Sequence, residues 1–461
     1  MADTRKGATA GRPTAWVWRT LAGSVLAAAV FIGAVMVVQM ARHARTVRTD
    51  APARDEPAID TNQPTSPSPP AEATVRNDDD DDSAAVLAPT WRGSFSSTLT
   101  RGTLERSLEL GARFLLAHQQ PAGNFTYEYD WTTDTYATGD NQVRQAGAMW
   151  GLALIHQYEP TAARAAALEK ALRFFESHAR TNRFGERYTV YPGDRAGSTG
   201  TVALVALAHI DYLRAAAATL DDARRAELEA ALDGYIRMLL ALRTPEGLWY
   251  SGYEFDDGAG YGKPSPYADG EALLALVKAA KYLGYDDLRG RILNAADAGY
   301  EYNVARALAQ DPDSDTTKGY YQWSSMAFYE LATSGWPGTY KYGTYVIDLA
   351  DWMIDVHRTL ARTRNTAYAY EGIIHAYKLA LDRGDADHAR KFAYVIETGL
   401  TKLTGWQVGG PIPNEFIQAN AGRMGDPDRA IGGIQNHASE APLRIDVTQP
   451  PMAAVILALK Y

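Results

Sequence analysis

From Trp91 onward, apolar residues recur at helical spacing in Ala- and Leu-rich stretches broken by loops rich in Gly, Pro and Asp. The spacing predicts twelve helices, over 101–118, 140–158, 161–181, 197–217, 221–243, 266–283, 286–307, 320–332, 339–360, 366–383, 385–403 and 445–459. Start signals support several of them. Asp140, Asp221, Asp286 and Asp385 stand as N-cap or first-turn acids, and Ser265 is a cap followed by Pro266 at the first helical position.

The helices alternate in character. Odd-numbered ones, such as LERSLELGARFLLAH (104–118) and ARRAELEAALDGYIRMLLAL (223–242), carry one charged and one apolar face and predict an outer layer. Even-numbered ones, such as VRQAGAMWGLALI, TGTVALVALAHI, GEALLALVKAA and PMAAVILAL, are small or apolar nearly all round, as in helices buried on both sides. Long loops (119–139, 182–196, 244–265, 308–319, 404–444) precede inner helices, whereas most links from inner to outer are short. Chemistry is therefore expected on one rim of a closed ring of six helical hairpins.

Six such pairs resemble the (α/α)6 barrels of the six-hairpin glycosidases, the polysaccharide lyases and the helical C-terminal domain of D-glucuronyl C5-epimerases. The segment YADGEALLALVKAAKYLGYDDLRGRILNAA (267–296) resembles the helix pair of those proteins in which a Gly-Glu or Gly-Gln dipeptide opens an inner helix. The resemblance covers residues 101–461 in architecture and implies an all-α (α/α)6 toroid; its local motifs are short. Lanthionine-cyclase-like toroids share the barrel but need zinc-binding cysteines, and this chain has none.

Composition narrows the classes. In 461 residues there are 46 Lys+Arg against 55 Asp+Glu, a net charge of −9, with 46% hydrophobic and 22% charged residues. These are globular values, against both a wholly disordered chain and a multi-span membrane protein. Zero cysteines remove disulfide frameworks, thiolate nucleophiles and thiolate metal sites. An acidic chain lacks the basic footprint of a nucleic-acid binder.

The charge is unevenly placed. Residues 1–49 carry seven Lys/Arg and one acid (+6), residues 50–90 two Arg and ten acids (−8), leaving −7 for the rest. Residues 20–38 form an uncharged run of 19, enough at 1.5 Å per residue to cross a hydrocarbon core of about 30 Å. A cleavable signal peptide is the rival reading, but its apolar region would be shorter and no small-residue cleavage site follows. The expectation is a cytoplasmic N-terminus (1–19), one transmembrane anchor (20–38), a flexible Pro/Ser/Asp-rich tether (39–90) and a toroid domain (91–461) outside the cytoplasm. That domain would face the bacterial periplasm or the cell surface. Asp78 to Asp82 invite a calcium-site or terpene-cyclase reading, yet a like-charge block in such a linker reads as a solvated spacer.

The rim loops GNFTYEYDWTTDTYATGDNQVRQAG (123–147) and EGLWYSGYEFDDGAGYGKPSPYADGE (246–271) cluster aromatics with carboxylates. Sugars present apolar C–H faces and hydroxyl edges, so aromatic platforms beside acceptors suit saccharide recognition. Tyr129, Trp131, Trp249, Tyr253, Tyr267, Trp323 and Tyr370 are the candidate platforms. Glycoside cleavage needs one protonated and one ionised carboxyl. Glu271, in the first turn of one apolar inner helix, and Glu371, the corresponding acid in TAYAYEGIIHAYKLAL, are the leading pair, with a helix-capping glutamate as the alternative reading of Glu271.

Asp140 and Asp446 are alternates. Asp140 and Arg144, four apart, could hold each other, and ring closure should bring Arg444 and Asp446 of RIDVTQPP to them, with Pro450-Pro451 starting the last helix. Arg144 and Arg444 are candidate substrate grips. His437, in the final loop, is a candidate base or ligand; the helical histidines read as packing. No metal or nucleotide motif occurs, and no metal or cofactor is expected. The expected function is a glycoside hydrolase acting on an envelope or exported polysaccharide. The alternatives are a uronic-acid epimerase or lyase, and a non-catalytic binding scaffold of a polysaccharide-assembly machinery.

Overall fold

The structure, a computed structural model, describes residues 99–217 and 219–461. The anchor and tether expected over 20–90 lie outside the described residues. Among the described residues no helix is long and apolar enough to cross a membrane.

Twelve helices of a dozen residues or more follow in order among the described residues: α1 (Arg101–Ala117), α2 (Gln142–Tyr158), α3 (Ala162–Ser177), α4 (Thr199–Ala215), α5 (Asp222–Ala241), α6 (Pro266–Tyr282), α7 (Arg289–Tyr300), α8 (Asp315–Ala332), α9 (Tyr340–Asp355), α10 (Ala367–Arg383), α11 (Ala386–Gly405) and α12 (Ile445–Lys460). Thr100, Asn141, Thr161, Asp221, Ser314 and Asp385 cap their helices through side-chain oxygens that accept from first-turn amides. Asp221 and Asp385 thus do what the sequence predicts, while the cap of α2 is Asn141 and not Asp140. Asp286 opens a 3-10 turn (Asp286–Leu288) ahead of α7.

The even-numbered helices form the ring. α2 packs on α4, α4 on α6, α6 on α8, α8 on α10, α10 on α12, and α12 returns to α2. The odd-numbered helices lie outside them, α9 spanning α8 and α10, and α1 packing on α12 and α2. Burial follows the layers: every residue of α4 from Thr199 to Leu213 is buried, whereas α5 buries only one face. This is the expected (α/α)6 toroid. Small residues admit the closing helix. A Cβ on Gly151 of α2 would meet Gln449 at 2.1 Å, and one on Gly111 of α1 would meet the Met452 sulfur at 2.0 Å.

Three departures have physical causes. α8 starts five residues before the predicted 320, because Ser314 caps it and Thr317 turns inward to bond the Asn303 carbonyl, so polar residues that read as loop are helix. α7 runs on through a π-helical turn (Glu301–Arg306), which buries Asn303 against α6. Pro450 and Pro451 lie inside α12 rather than at its start. Each lacks an N–H, and the Val447 carbonyl freed by Pro451 accepts instead from Asn365 Nδ2 at 3.4 Å.

The outer-to-inner connections, expected as plain loops, carry short strands: β1 (Glu128–Asp130), β2 (Thr135–Tyr136), β3 (Ala179–Thr181), β4 (Arg187–Thr189), β5 (Ala196–Ser198), β6 (Tyr250–Glu254), β7 (Gly260–Pro264) and β8 (Pro442–Arg444). They pair in the orders β2-β1-β8, β3-β4 and β5-β6-β7, all antiparallel. The β1–β8 pairing sets Glu128 opposite Arg444, joining the segment before α2 to that before α12 at the seam of the ring.

Close helix approach gives the first prediction. A Cβ on Gly399 of α11 would fall 1.9 Å from the fully buried Tyr370 ring of α10. Gly399→Ala gains up to about 1 kcal/mol of helix propensity but forces a core ring to move, at about 1–3 kcal/mol or more. A net loss of about 1–2 kcal/mol in urea denaturation is expected; unchanged stability would show that the interface is slack.

Candidate active site

The first turns of the six inner helices converge on one end of the ring, where their unpaired amides and dipoles favour negative charge. Glu271 is the sixth residue of α6 and Glu371 the fifth of α10. Both lie on helices that flank α8. Glu271 retains 2% of its surface and Glu371 none. Glu271 packs on Gly200 of α4, where a Cβ would come within 2.3 Å of its Oε2. That oxygen has no hydrogen-bond partner, and neither does Glu371 Oε1. Glu371 Oε2 accepts from Gln322 Nε2 of α8 at 2.8 Å. Burial pushes each carboxyl up to about 8, and for Glu371 the Gln322 amide opposes the shift. With no cationic partner among the described residues, burial favours the protonated form of both.

A tryptophan pair lies beside them. Trp150 and Trp323 are on α2 and α8, which stand opposite one another in the ring. Their rings meet at 5.5 Å, so the contact crosses the barrel axis. Trp323 is level with the glutamates: a Cβ on Gly270, the residue before Glu271, would meet the Trp323 Cβ at 2.5 Å, and Gln322, the residue before Trp323, bonds Glu371. Trp150 is fixed from below, its Nε1 donating to Asp211 Oδ2 at 2.9 Å. Asp211 also takes Lys278 at 2.5 Å and Arg214 at 3.0 Å. Burial pushes the Asp211 carboxyl up, but the two cations outweigh it and hold it below the usual range.

At the seam, Arg444 grips Asp446 with two bonds, Nε to Oδ1 at 2.9 Å and a terminal nitrogen to Oδ2 at 2.5 Å. Arg144 Nε reaches the same Oδ2 at 3.2 Å. Both guanidiniums lie against the Tyr127 ring, at 5.1 and 5.5 Å from its centroid. The expected approach of Arg444 and Asp446 to Arg144 is thus present.

The expected pairing of Asp140 with Arg144 is absent. Asp140 instead accepts from Tyr191 at 2.6 Å and from Gln145 at 2.7 Å, because the Asn141 cap turns it away from the seam. Asp269, a neighbour of Glu271, is pushed to about 7 by burial yet is occupied, accepting from the Trp249 amide and Asn303 Nδ2.

Most of the proposed aromatic platforms are core. Tyr129, Trp131, Trp249, Tyr253 and Tyr370 are at most 1% exposed. Tyr129 donates to Asp134, Trp249 Nε1 to the Leu239 carbonyl and Tyr253 to the Thr189 carbonyl. Their rings brace the rim strands and the helix pairs, and no ring face is open for a sugar. Trp323, 8% exposed, and half-buried Tyr267 remain at the mouth. His437 is half-buried, pairs with Ser439 and lies tilted over Trp406, in a segment that bridges Arg364 ahead of α10. Gln322, Trp150 and Tyr127 escaped the sequence reading. Gln322 and Trp150 had no signal beyond lying on inner helices, and Tyr127 was one aromatic among many.

No family model matches the chain, and no curated protein matches its sequence. Solved structures do match over most of its length. They include a cellobiose 2-epimerase from Bacillus thermoamylovorans (12% identity, TM-score 0.57, covering 78% of this chain and 98% of that one). D-mannose isomerase matches at 13% identity and TM-score 0.53, over 80% and 100% of the two chains. An inactive α-1,6-mannanase variant of a Salegentibacter species, in complex with α-1,6-mannotetrose, matches at 9% identity and TM-score 0.53, over 78% and 98%. At these identities the likeness establishes the toroid fold and not a reaction.

The raised carboxyls make stability pH-dependent. Each has a folded value near 8 against 4.5 for the free side chain, so its contribution is fully present below about 4.5 and is lost as pH rises towards 8. The slope is on the order of 1 kcal/mol per pH unit per group. Urea midpoints taken from about pH 5 to pH 8 should fall more steeply for the native protein than for Glu271→Gln or Glu371→Gln; parallel profiles would mean the carboxyls are not held neutral.

Proposed function

We propose that this chain is a carbohydrate-active enzyme that hydrolyses glycosidic bonds, with Glu271 as proton donor and Glu371 as the second carboxyl. The observation that carries this reading is the pair of buried glutamates, without a cation beside them among the described residues, next to the Trp150–Trp323 contact. Their surroundings differ in the sense that hydrolysis needs. Burial pushes both up to about 8, and only Glu371 has an opposing contact, the Gln322 amide, which favours its ionised form. Glu271, in its protonated form, gives its proton to the departing glycosidic oxygen; Glu371 acts in its ionised form, which the Gln322 amide favours, taking the proton of the attacking water or bonding to the anomeric carbon. Trp323 offers a ring edge beneath the sugar.

Matching structures named for sugar epimerases, a sugar isomerase and a mannanase support a saccharide substrate. A histidine-based proton abstraction has less support. The inner-helix histidines His156, His209 and His375 are residues 15, 11 and 9 of α2, α4 and α10, level with or below the tryptophans. The same proposal keeps residues 20–38 as an anchor with the toroid outside the cytoplasm, facing an envelope or exported polysaccharide; an alkaline phosphatase fused to the C-terminus should then be active, and an inactive fusion would contradict export.

The function is tested by turnover of a panel of oligosaccharides. Glu271→Gln and Glu371→Gln should each lower kcat by about 100- to 10,000-fold while saccharide binding persists. Aryl glycosides with a nitrophenolate leaving group need no protonation, so they should restore much of the rate of Glu271→Gln and little of that of Glu371→Gln. Undiminished turnover in either variant would remove that residue from the mechanism.

A further inference from the structure

The charge at the mouth is unbalanced, and the imbalance points to the kind of saccharide that fits. Two guanidiniums, Arg144 and Arg444, share the single carboxylate of Asp446. The nearest other acid, Glu128, lies opposite Arg444 across the β1–β8 pair, and burial pushes it towards its neutral form. Glu440, beyond it, is engaged by Arg364. The converging helix N-termini add positive potential at the same mouth.

Arg444 spends its grip on Asp446. Arg144 does not: its Nε lies 3.2 Å from the aspartate without a hydrogen bond, and its terminal nitrogens carry none within the described residues. Its side chain is 17% exposed, held on one side by Asp446 and on its face by the Tyr127 ring. A guanidinium so held is a fixed, planar two-donor fork, and removing it from water is costly without a second anion.

We infer that the terminal nitrogens of Arg144 bind the carboxylate of a uronic-acid residue, so that the substrate is an acidic saccharide gripped at the seam while a neighbouring bond lies over Glu271. This rests on the hydrolase reading of the same mouth and adds the chemical class of its substrate. A planar carboxylate matches the fork with two parallel bonds.

The test uses the full-length protein and matched probes: oligosaccharides of galacturonic, glucuronic or mannuronic acid, the same oligosaccharides after reduction of their carboxyls, and a sulfated neutral oligosaccharide. Titration calorimetry should show one acidic oligosaccharide binding about 10- to 100-fold more tightly than its reduced form, with the margin shrinking at high salt. Arg144→Met should bring that ratio to within about twofold, and Arg144→Lys, which keeps the charge without the fork, should fall between. Asp446 remains doubly bonded to Arg444 in both variants, so the seam is retained. Equal affinity for acidic and reduced forms, an unchanged ratio in Arg144→Met, or tighter binding of the sulfated probe would overturn the inference while leaving a neutral-sugar hydrolase standing. Failure of every saccharide to bind would overturn both.

Discussion

Closure of the ring is the constraint on which everything else depends. Once α12 docks between α10 and α2, six helix N-termini that are far apart in sequence face one another at a single mouth. The docking is a matter of shape. Gly151 and Gly111 leave room for Gln449 and Met452, and the β1–β8 pairing aligns the two segments that enter the seam. A chain open at this point would leave Arg144 without Asp446.

The mouth then sets chemistry by burial rather than by ion pairing. Glu271 and Glu371 have no cation beside them, and the low polarity of their surroundings dominates their protonation. Deeper in the barrel the balance reverses. Asp211 is equally buried, yet Lys278 and Arg214 keep it ionised, and in that state it fixes Trp150. The barrel therefore holds an acid pair with raised pKa beside an aromatic contact and a charged brace beneath it, so that the same residue class performs opposite tasks at two depths.

Much of the architecture is legible in the sequence, because the alternation of two-sided and one-sided helices is a direct image of inner and outer layers. Helix order, ring closure and the meeting of Arg144 with Asp446 follow from that alternation. Side-chain orientation does not. Tyr129, Trp131, Trp249, Tyr253 and Tyr370 sit in rim loops or on inner helices as a sugar platform would, yet their rings turn into the core. The two-residue and three-residue rim strands are too short to leave a periodic trace. Asp140 shows how one capping choice, Asn141 in its place, redirects a charge to Tyr191. Gln322 was hidden because an amide on an inner helix carries no signal of which side chain it meets.

Glu271, beside Trp323, serves in this reading as the proton donor to a bound saccharide. A crystal structure of Glu271→Gln with a bound oligosaccharide tests it most directly. The account predicts a glycosidic oxygen within about 3.2 Å of the residue-271 side chain, with a sugar ring resting on Trp323. A saccharide seated on an outer face, or a ring centre left empty while sugar binds elsewhere, would contradict it.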